Sequence, residues 1–175
     1  TQKVNDFGDG YPVVGRNIEI ADEYKIQLFA KTNTVKPDGT AFACVYDKFP
    51  ILRIYSNTGE LKKDIRLDNN QHFPYALIKQ NPTLDEVNEV MQNYRMITST
   101  NHFIYALYIG QKTKSISPGL NDFSNIIHVW DWDGNPIMEL NLDRKIFSFD
   151  VSHKDEFLIC SSLEKIDALY KYELP

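Results

Sequence analysis

Two apolar runs followed by a glycine turn make up residues 42–59, which read FACVYDKFPILRIYSNTG. The same order recurs twice, because Phe103 and Phe157 also open apolar runs that lead into a second apolar stretch. Ile51 and Ile166 each lie nine positions after the phenylalanine of their copy, and the second copy has a longer connection. Recurrence of this kind is typical of architectures built from repeated supersecondary units. The pattern describes shape and by itself indicates no biochemical activity.

The second apolar stretch of each copy has the alternating pattern of a β-strand. In the first copy, Ile51, Arg53 and Tyr55 are predicted on one face, with Leu52 and Ile54 on the other, because successive side chains of a strand point to opposite faces. The runs opened by the phenylalanines are continuously apolar, which is typical of strands covered on both faces. We therefore predict at least two strands in every copy.

A turn and a further strand follow the alternating stretch. Gly59 ends the turn of the first copy and Gly134 ends that of the second. Glycine supplies the positive φ that a tight hairpin needs, and the same explanation applies to Asp38-Gly39. Residues 54–68 correspond one to one with residues 129–143. A third strand is therefore predicted after each of these glycine turns.

These units predict an all-β chain that forms a β-propeller. Candidate inner strands lie before the second and third phenylalanines, at 94–99 and 146–151. Each copy then forms a four-stranded antiparallel meander, which is the unit of a propeller blade. The blades are expected at roughly 28–68, 94–143 and 146–175 of a single partial propeller domain, 1–175.

Two insertions interrupt the repeats. The first, 69–93, contains Thr83 and Glu86 at the spacing of a capping box, which marks the start of a helix. A short surface helix is predicted there, with an apolar face formed by Leu84, Val87, Val90 and Met91. The second insertion, 111–125, is rich in Ser, Lys, Gly and Pro and is predicted to be a long loop.

Composition narrows the class of function. The 175 residues carry a formal net charge of −5, which disfavours nucleic acid as a partner, because phosphate binding needs clustered Lys and Arg. Cys44 and Cys160 form no CxxC motif, so a thiolate zinc site is disfavoured. Both cysteines are expected as small buried hydrophobes, and the sequence leaves a disulfide between them open. Neither a metal nor a cofactor is expected.

The blade sequences also resemble a known family. Residues 50–55, PILRIY, with Gly59 after them, and residues 129–136, VWDWDGNP, are similar to blades of the TolB-like six-bladed propeller proteins of gut anaerobes. The likeness runs from about Ala30 to Pro175, and the chain resembles a C-terminal half. It implies half of a six-bladed ring, and an exported lipoprotein of the cell envelope, periplasmic or surface-exposed. The resemblance implies no catalytic residues.

A half ring has a physical consequence for partners. Three blades cannot close a six-bladed ring, so an open arc would expose unpaired strand edges and apolar blade faces. We therefore expect either an N-terminal half of the protein or a second copy of the chain to complete the ring.

Two groups of exposed residues are candidates for ligand binding. His102 and His153 fall in equivalent turns before a repeat phenylalanine, and Asp38 lies in the corresponding turn of the first copy. Such turns share one face of a propeller, so these side chains are candidates for one site. The second group lies in the 111–125 loop, because loops on a rigid scaffold often hold binding sites. Its members are Lys112, Lys114 and Asn121.

The motifs favour binding over catalysis. The chain contains no GxSxG, GxxxxGK or HExxH motif, each of which would indicate a specific chemistry. We expect a non-catalytic binding or scaffold propeller that recognises a protein, a peptide or a glycan. The alternative is a glycan-acting hydrolase or lyase on the same scaffold, with carboxylates and His102 or His153 at the funnel.

Overall fold

The computed structural model describes residues 10–12, 20–67, 73–113, 123–165 and 167–175. Within those ranges the chain forms three antiparallel sheets whose strands are adjacent in chain order, which we call blades 1, 2 and 3. Blade 1 consists of β1 (Lys31–Val35), β2 (Ala41–Tyr46), β3 (Ile51–Ser56) and β4 (Leu61–Arg66). Blade 2 consists of β5 (Met91–Ser99), β6 (Phe103–Lys112), β7 (Ser124–Asp131) and β8 (Pro136–Ile146). Blade 3 consists of β9 (Ser148–Val151), β10 (Phe157–Ser161) and β11 (Leu169–Glu173).

Short helices accompany the blades at two places. Helix α1 (Asp22–Leu28) precedes blade 1, and a 3₁₀ helix (Tyr75–Ile78) and helix α2 (Leu84–Asn88) lie between blades 1 and 2. The predominance of strands and the four-stranded antiparallel sheets confirm the predicted all-β, propeller-type fold.

Apolar clusters join neighbouring blades. Leu52 and Ile54 of blade 1 pack in one cluster with Ile104 and Trp130 of blade 2. The opposite faces of β6 and β7 pack against blade 3 in a second cluster, which includes Leu107. Blade 2 is therefore covered on both faces, and this explains why its strands are apolar at consecutive positions.

The other face of blade 1 carries the second half of the predicted alternation. Ile51 and Tyr55 pack there against Leu28 and Phe29, at the end of helix α1. Arg53 is on the same strand between them and is only 4% exposed. Its guanidinium pairs with Asp64 of the neighbouring strand at 2.9 Å and donates a hydrogen bond to the Gly10 carbonyl at 2.9 Å. The predicted alternation of β3 is confirmed, and the buried arginine is tolerated because its donors are paired.

The hydrogen bonds that close the turns correct the predicted equivalence of Phe42 with Phe103 and Phe157 by one residue. The backbone N–H groups of Lys36, Thr100 and Ser152 donate to the carbonyls of Ala41, Phe103 and Phe157. Ala41, and not Phe42, is thus equivalent to the two phenylalanines, and Phe42 corresponds to Ile104 and Leu158. In the third copy the second apolar stretch was expected to begin at Ile166, which lies outside the described residues. The observed strand spans Leu169–Glu173.

The two insertions are shorter than predicted. Thr83 and Glu86 form the predicted capping box, but helix α2 ends at Asn88 and Met91 already belongs to β5. Leu84 is 75% exposed, so the predicted apolar helix face is wrong; five residues are too few to present one. The 111–125 loop is likewise shortened, because β6 extends through Lys112 and β7 begins at Ser124. Similarly, Ile146 ends β8 instead of beginning an inner strand.

Glycine turns occur where the sequence predicted them, with φ of 73° at Gly39, 89° at Gly59 and 83° at Gly134. A Cβ at Gly39 would meet nothing within 4 Å, whereas one at Gly134 would lie 2.8 Å from Ile65 Cδ1 in blade 1.

We expect Gly39→Ala to cost about 1 kcal/mol of unfolding free energy, because of its φ alone. Gly134→Ala should cost about 2 kcal/mol, because Ile65 must also move.

Urea denaturation of the two variants measures this difference directly. The φ values are similar, so Gly39→Ala serves as the matched control for backbone strain. Equal losses in the two variants would show that the close approach of Gly134 to blade 1 has no energetic consequence.

Candidate functional site

The hairpins that connect the first two strands of each blade lie side by side. We call the surface formed by residues 36–40, 100–102 and 152–156 the turn face. The Asp38 backbone N–H donates to Asn101 Oδ1 at 3.1 Å and thereby joins the turns of blades 1 and 2. His102 Nδ1 lies 2.8 Å from Asp155 Oδ2 and joins the turns of blades 2 and 3. Polar contacts thus connect the three turns in a continuous row.

Asp155 has the most constrained environment on the turn face. Its φ of 59° lies in the left-handed region, and it is the non-glycine residue with positive φ among those the structure describes. Its side chain is 11% exposed, and Oδ1 accepts a hydrogen bond of 2.8 Å from the Tyr105 hydroxyl. Burial raises the pKa of Tyr105, and the bond to Asp155 raises it further, so the phenol remains a donor. The carboxylate is thus bonded to two residues of blade 2.

His102 presents the free side of its ring to solvent. The side chain is 66% exposed, although its Nδ1 faces Asp155, and the ring meets that of Phe103 edge-on at 6.1 Å. Nε2 makes no hydrogen bond to any residue that the structure describes. The imidazole is therefore oriented on one side and available on the other.

The Asp38 carboxylate is engaged by its own turn. It accepts hydrogen bonds from the hydroxyl and the N–H of Thr40, at 2.6 and 2.9 Å, and pairs with Lys36 at 2.9 Å. The Thr40 hydroxyl, the Thr40 N–H and the Lys36 ammonium lower the pKa of Asp38 to about 2. Lys36 also lies over the Trp132 ring at 5.9 Å. Asp38 is therefore an ionised structural acceptor within the turn.

Comparison with known proteins identifies the family. The profile described as TolB-like 6-blade propeller-like matches residues 18–154. The chain belongs to the TolB-like propeller family. This confirms the resemblance found in the blade sequences, and the repeated sheets are therefore blades of a propeller scaffold. The TolB-like family is associated with the periplasm and the cell envelope.

Solved structures share the fold of this TolB-like chain at low sequence identity. Hydrazine synthase from Kuenenia stuttgartiensis is 12% identical, with a TM-score of 0.51, and the match covers 94% of this chain and 36% of that one. The Cps50 (Swd1) β-propeller domain from Myceliophteria thermophila is 12% identical with a TM-score of 0.44, over 83% and 37%. Hsv2 from Kluyveromyces lactis is 14% identical with a TM-score of 0.42, over 83% and 34%.

The TolB-like chain spans little more than a third of each of these matched structures. Of the three, only the match to hydrazine synthase exceeds a TM-score of 0.5, and at 12% identity it supports the fold alone. No curated protein matches the sequence.

The structure separates the six predicted site residues. Asp38 and His102 lie in adjacent turns of the turn face, and His153 is exposed in the same turn as Asp155. Lys112 lies nine residues beyond Phe103 on β6, about 30 Å away at 3.3 Å per residue. It pairs there with Glu89 at 2.5 Å. Lys114 and Asn121 lie outside the described residues.

Sequence reasoning missed the two residues that organise the turn face. Tyr105 and Asp155 are not among the six predicted site residues, yet they bond each other and Asp155 contacts His102. One signal becomes visible only in the corrected register of the first copy. Asp155 occupies the position held by Gly39 in blade 1, and an aspartate in place of a turn glycine indicates that the carboxylate has a further role.

A concave region lies on the face of blade 1 that is remote from blade 2. This cleft has a volume of about 650 Å³. The rings of Phe42 and Tyr55 stack in its wall at 4.9 Å, with Lys31 and Asn33 of the innermost strand beside them. In a closed ring, the blade that precedes blade 1 would contact this face.

Both cysteines are buried and free, as expected. Cys44 lines the cleft of blade 1, where burial raises the pKa of its thiol, whereas Cys160 lies in the cluster between blades 2 and 3. They are not joined by a disulfide.

The described residues show neither a metal-binding cluster nor a membrane-spanning helix. Those residues contain no group of three or more His, Cys, Asp or Glu side chains placed to hold a metal ion. None of their helices has the length and hydropathy needed to cross a bilayer.

Proposed function

We propose that this TolB-like chain is part of a non-catalytic binding propeller that recognises a protein, a peptide or a glycan at the turn face. The observation that carries the proposal is the row of contacts between blades, from Asp38 through Asn101 and His102 to Asp155. It holds exposed polar side chains on three packed sheets. Fixing such groups before binding reduces the entropy lost when a ligand docks.

The alternative function is a glycan-acting hydrolase or lyase. One observation favours it: a carboxylate bonded to His Nδ1, with Nε2 left accessible, is also the arrangement that orients a general base. His102 and Asp155 have that arrangement at 2.8 Å.

Completion of the ring is a further part of the proposal. The cleft on blade 1 leaves Phe42 and Val35 accessible, and β11 pairs with β10 alone among the described strands. We propose that an N-terminal half or a second copy of the chain covers these surfaces. Light scattering of the 175-residue chain distinguishes the two, because only the second copy gives a dimer.

We also propose that the protein is an exported lipoprotein, periplasmic or surface-exposed.

Binding to immobilised neutral oligosaccharides and synthetic peptides tests the recognition proposal. The triple variant Asn101→Ala/His102→Ala/His153→Ala removes exposed side chains of the turn face without touching the buried clusters. We expect its affinity for any bound probe to fall by about tenfold or more, because at least one hydrogen bond to the ligand is lost.

Lys171→Ala is the matched control, since it removes an exposed side chain in the middle of β11, outside the turn face. Equal binding by the wild type and the triple variant would overturn the proposal. Release of shortened or unsaturated sugars from the probes, lost in His102→Ala, would support the enzymatic alternative instead.

A further inference from the structure

The tautomer of a neutral His102 ring is set by what Asp155 can accept. An ionised carboxylate accepts hydrogen bonds and donates none. Asp155 Oδ1 is occupied by the Tyr105 hydroxyl at 2.8 Å, and Oδ2 lies 2.8 Å from His102 Nδ1. Nδ1 must therefore carry the proton of that contact. In a neutral imidazole the other nitrogen, Nε2, is then an acceptor.

The direction of Nε2 makes this acceptor available to a ligand. The His102 side chain is 66% exposed, and its Nε2 is unbonded within the described ranges. Asp155, which is itself bonded to the buried Tyr105, holds the ring at Nδ1. Few exposed histidines are oriented in this way, because an isolated surface side chain loses rotamer entropy on becoming ordered.

The backbone of Asp155 supports an orienting role for its carboxylate. The equivalent residue in blade 1 is Gly39, and both have positive φ, 59° and 73°. Glycine alone would satisfy the turn without strain. The Asp155 side chain adds the contacts to His102 and Tyr105, so the aspartate serves the neighbouring blade as well as its own turn.

A complementary donor lies beside His102. Asn101 Oδ1 already accepts from the Asp38 N–H, which leaves the Asn101 Nδ2 group, unbonded to any described residue, to donate. The two adjacent side chains thus offer one acceptor and one donor. This pair matches hydroxyl groups, which donate and accept at the same oxygen.

The charges of the turn face nearly balance, because Lys36 and Lys154 are opposed by Asp38, Asp155 and Glu156. The carboxylate of Asp38 is engaged by Thr40 and Lys36, and that of Asp155 by His102 and Tyr105. Trp132 is fixed next to these turns, because its indole N–H donates to the Thr100 carbonyl at 3.0 Å. The Trp132 ring, which packs against the cluster between blades 1 and 2, therefore adds a partly exposed apolar group beside the polar side chains.

We infer that the turn face holds a site for a neutral glycan, in which His102 Nε2 accepts a hydrogen bond from a sugar hydroxyl. Asn101 Nδ2 donates to a neighbouring hydroxyl oxygen, and Asp155 is the positioning residue that orients the His102 ring. The inference rests on the proposed function and specifies its ligand class.

The first measurement determines the tautomer of His102 in the free protein. Long-range ¹H–¹⁵N spectra of the imidazole should show Nδ1 protonated and Nε2 unprotonated. In Asp155→Asn the amide N–H₂ can face Nδ1 while the amide oxygen keeps the Tyr105 bond, so the tautomer should reverse. Asparagine tolerates the left-handed region, and therefore this variant should fold. An Nε2-protonated imidazole in the wild type overturns the inference before any ligand is added.

The second measurement is titration with the hexaoses of cellulose, starch, xylan, mannan and β-1,3-glucan. At least one should shift the His102 Nε2 signal. Asp155→Asn should bind it about tenfold more weakly, because the reversed tautomer turns His102 Nε2 from a hydrogen-bond acceptor into a donor. His102→Gln should keep part of the affinity, because its side-chain oxygen can accept, whereas His102→Leu should lose it. Lys171→Gln, a substitution of an exposed side chain in the middle of β11 and outside the turn face, should bind like the wild type.

Two further outcomes would overturn the inference. One is that none of the five hexaoses perturbs His102, and the other is that Asp155→Asn binds as the wild type does. Asp155→Gly removes the carboxylate while keeping the turn, so weak binding in both Asp155 variants excludes misfolding as the cause. Binding of a peptide at the turn face without any hexaose would leave the proposed function standing and would overturn the glycan assignment alone.

Discussion

Trp130→Ala is expected to lower the free energy of unfolding by about 3–5 kcal/mol, the range for removing a large aromatic side chain from a core. Trp130 is 1% exposed and lies in the cluster that joins blades 1 and 2. Its ring meets that of Tyr94 edge-on at 6.0 Å, and the Tyr94 hydroxyl is bonded to His128 Nδ1 at 3.0 Å. The cavity would therefore disturb a polar contact as well as apolar packing. Urea denaturation followed by circular dichroism measures the loss.

Two variants make the Trp130 experiment decisive. Ile137→Ala truncates a side chain on the adjacent strand that is 42% exposed, and should change the unfolding free energy by less than about 0.5 kcal/mol. Trp130→Phe keeps most of the ring volume and should give an intermediate loss if the alanine variant does not fold. Equal effects of Trp130→Ala and Ile137→Ala would contradict the packing of blade 1 against blade 2.

The strands of the blades were predictable because their signals are local. The alternation in β3 placed Ile51 and Leu52 on opposite faces, as the two clusters show. Gly39, Gly59 and Gly134 were predicted as turn residues because tight hairpins require positive φ. These features depend on a few consecutive residues, and no contact between distant parts of the chain is needed to infer them.

Register was less predictable because blade strands are buried on both faces. A one-residue shift in a half-exposed strand would move polar residues into the core, which usually reveals the error. The first copy offers no such marker, because Ala41 and Phe42 are both apolar and both partly buried. The alignment of Phe42 with Phe103 therefore fitted the sequence as well as the correct alignment of Ala41.

The organisation of the candidate site required contacts that sequence spacing does not encode. Asp155 lies 53 residues from His102 and 50 from Tyr105, and the angle between adjacent blades decides whether they meet. The sequence could place His102 and Asp38 in equivalent turns. It could not show that Asp38 is engaged within its own turn, or that Asp155 orients His102.

The second prediction of a large effect concerns blade 3. Leu158→Ala is expected to destabilise the packing of blade 3 by about 2–5 kcal/mol, because Leu158 is fully buried in the cluster that joins blades 2 and 3. In a repeat architecture each unit is stabilised mainly by its neighbours, so loss of packing between blades 2 and 3 should loosen blade 3 more than blade 1, which does not contribute to that cluster. Hydrogen exchange should show the largest loss of protection in β9, β10 and β11, with blade 1 nearly unchanged.

The next residue on the same strand is the control for this prediction. Ile159 points away from blade 2 and is 38% exposed, so Ile159→Ala should alter exchange in blade 3 only slightly. The two variants differ by one position in β10 and remove aliphatic side chains of the same size. If Leu158→Ala increased exchange equally in all three blades, the blades would unfold as one cooperative unit. If Ile159→Ala had the larger effect, the assignment of the faces of β10 would be wrong, and with it the packing of blade 3 that brings Asp155 to His102.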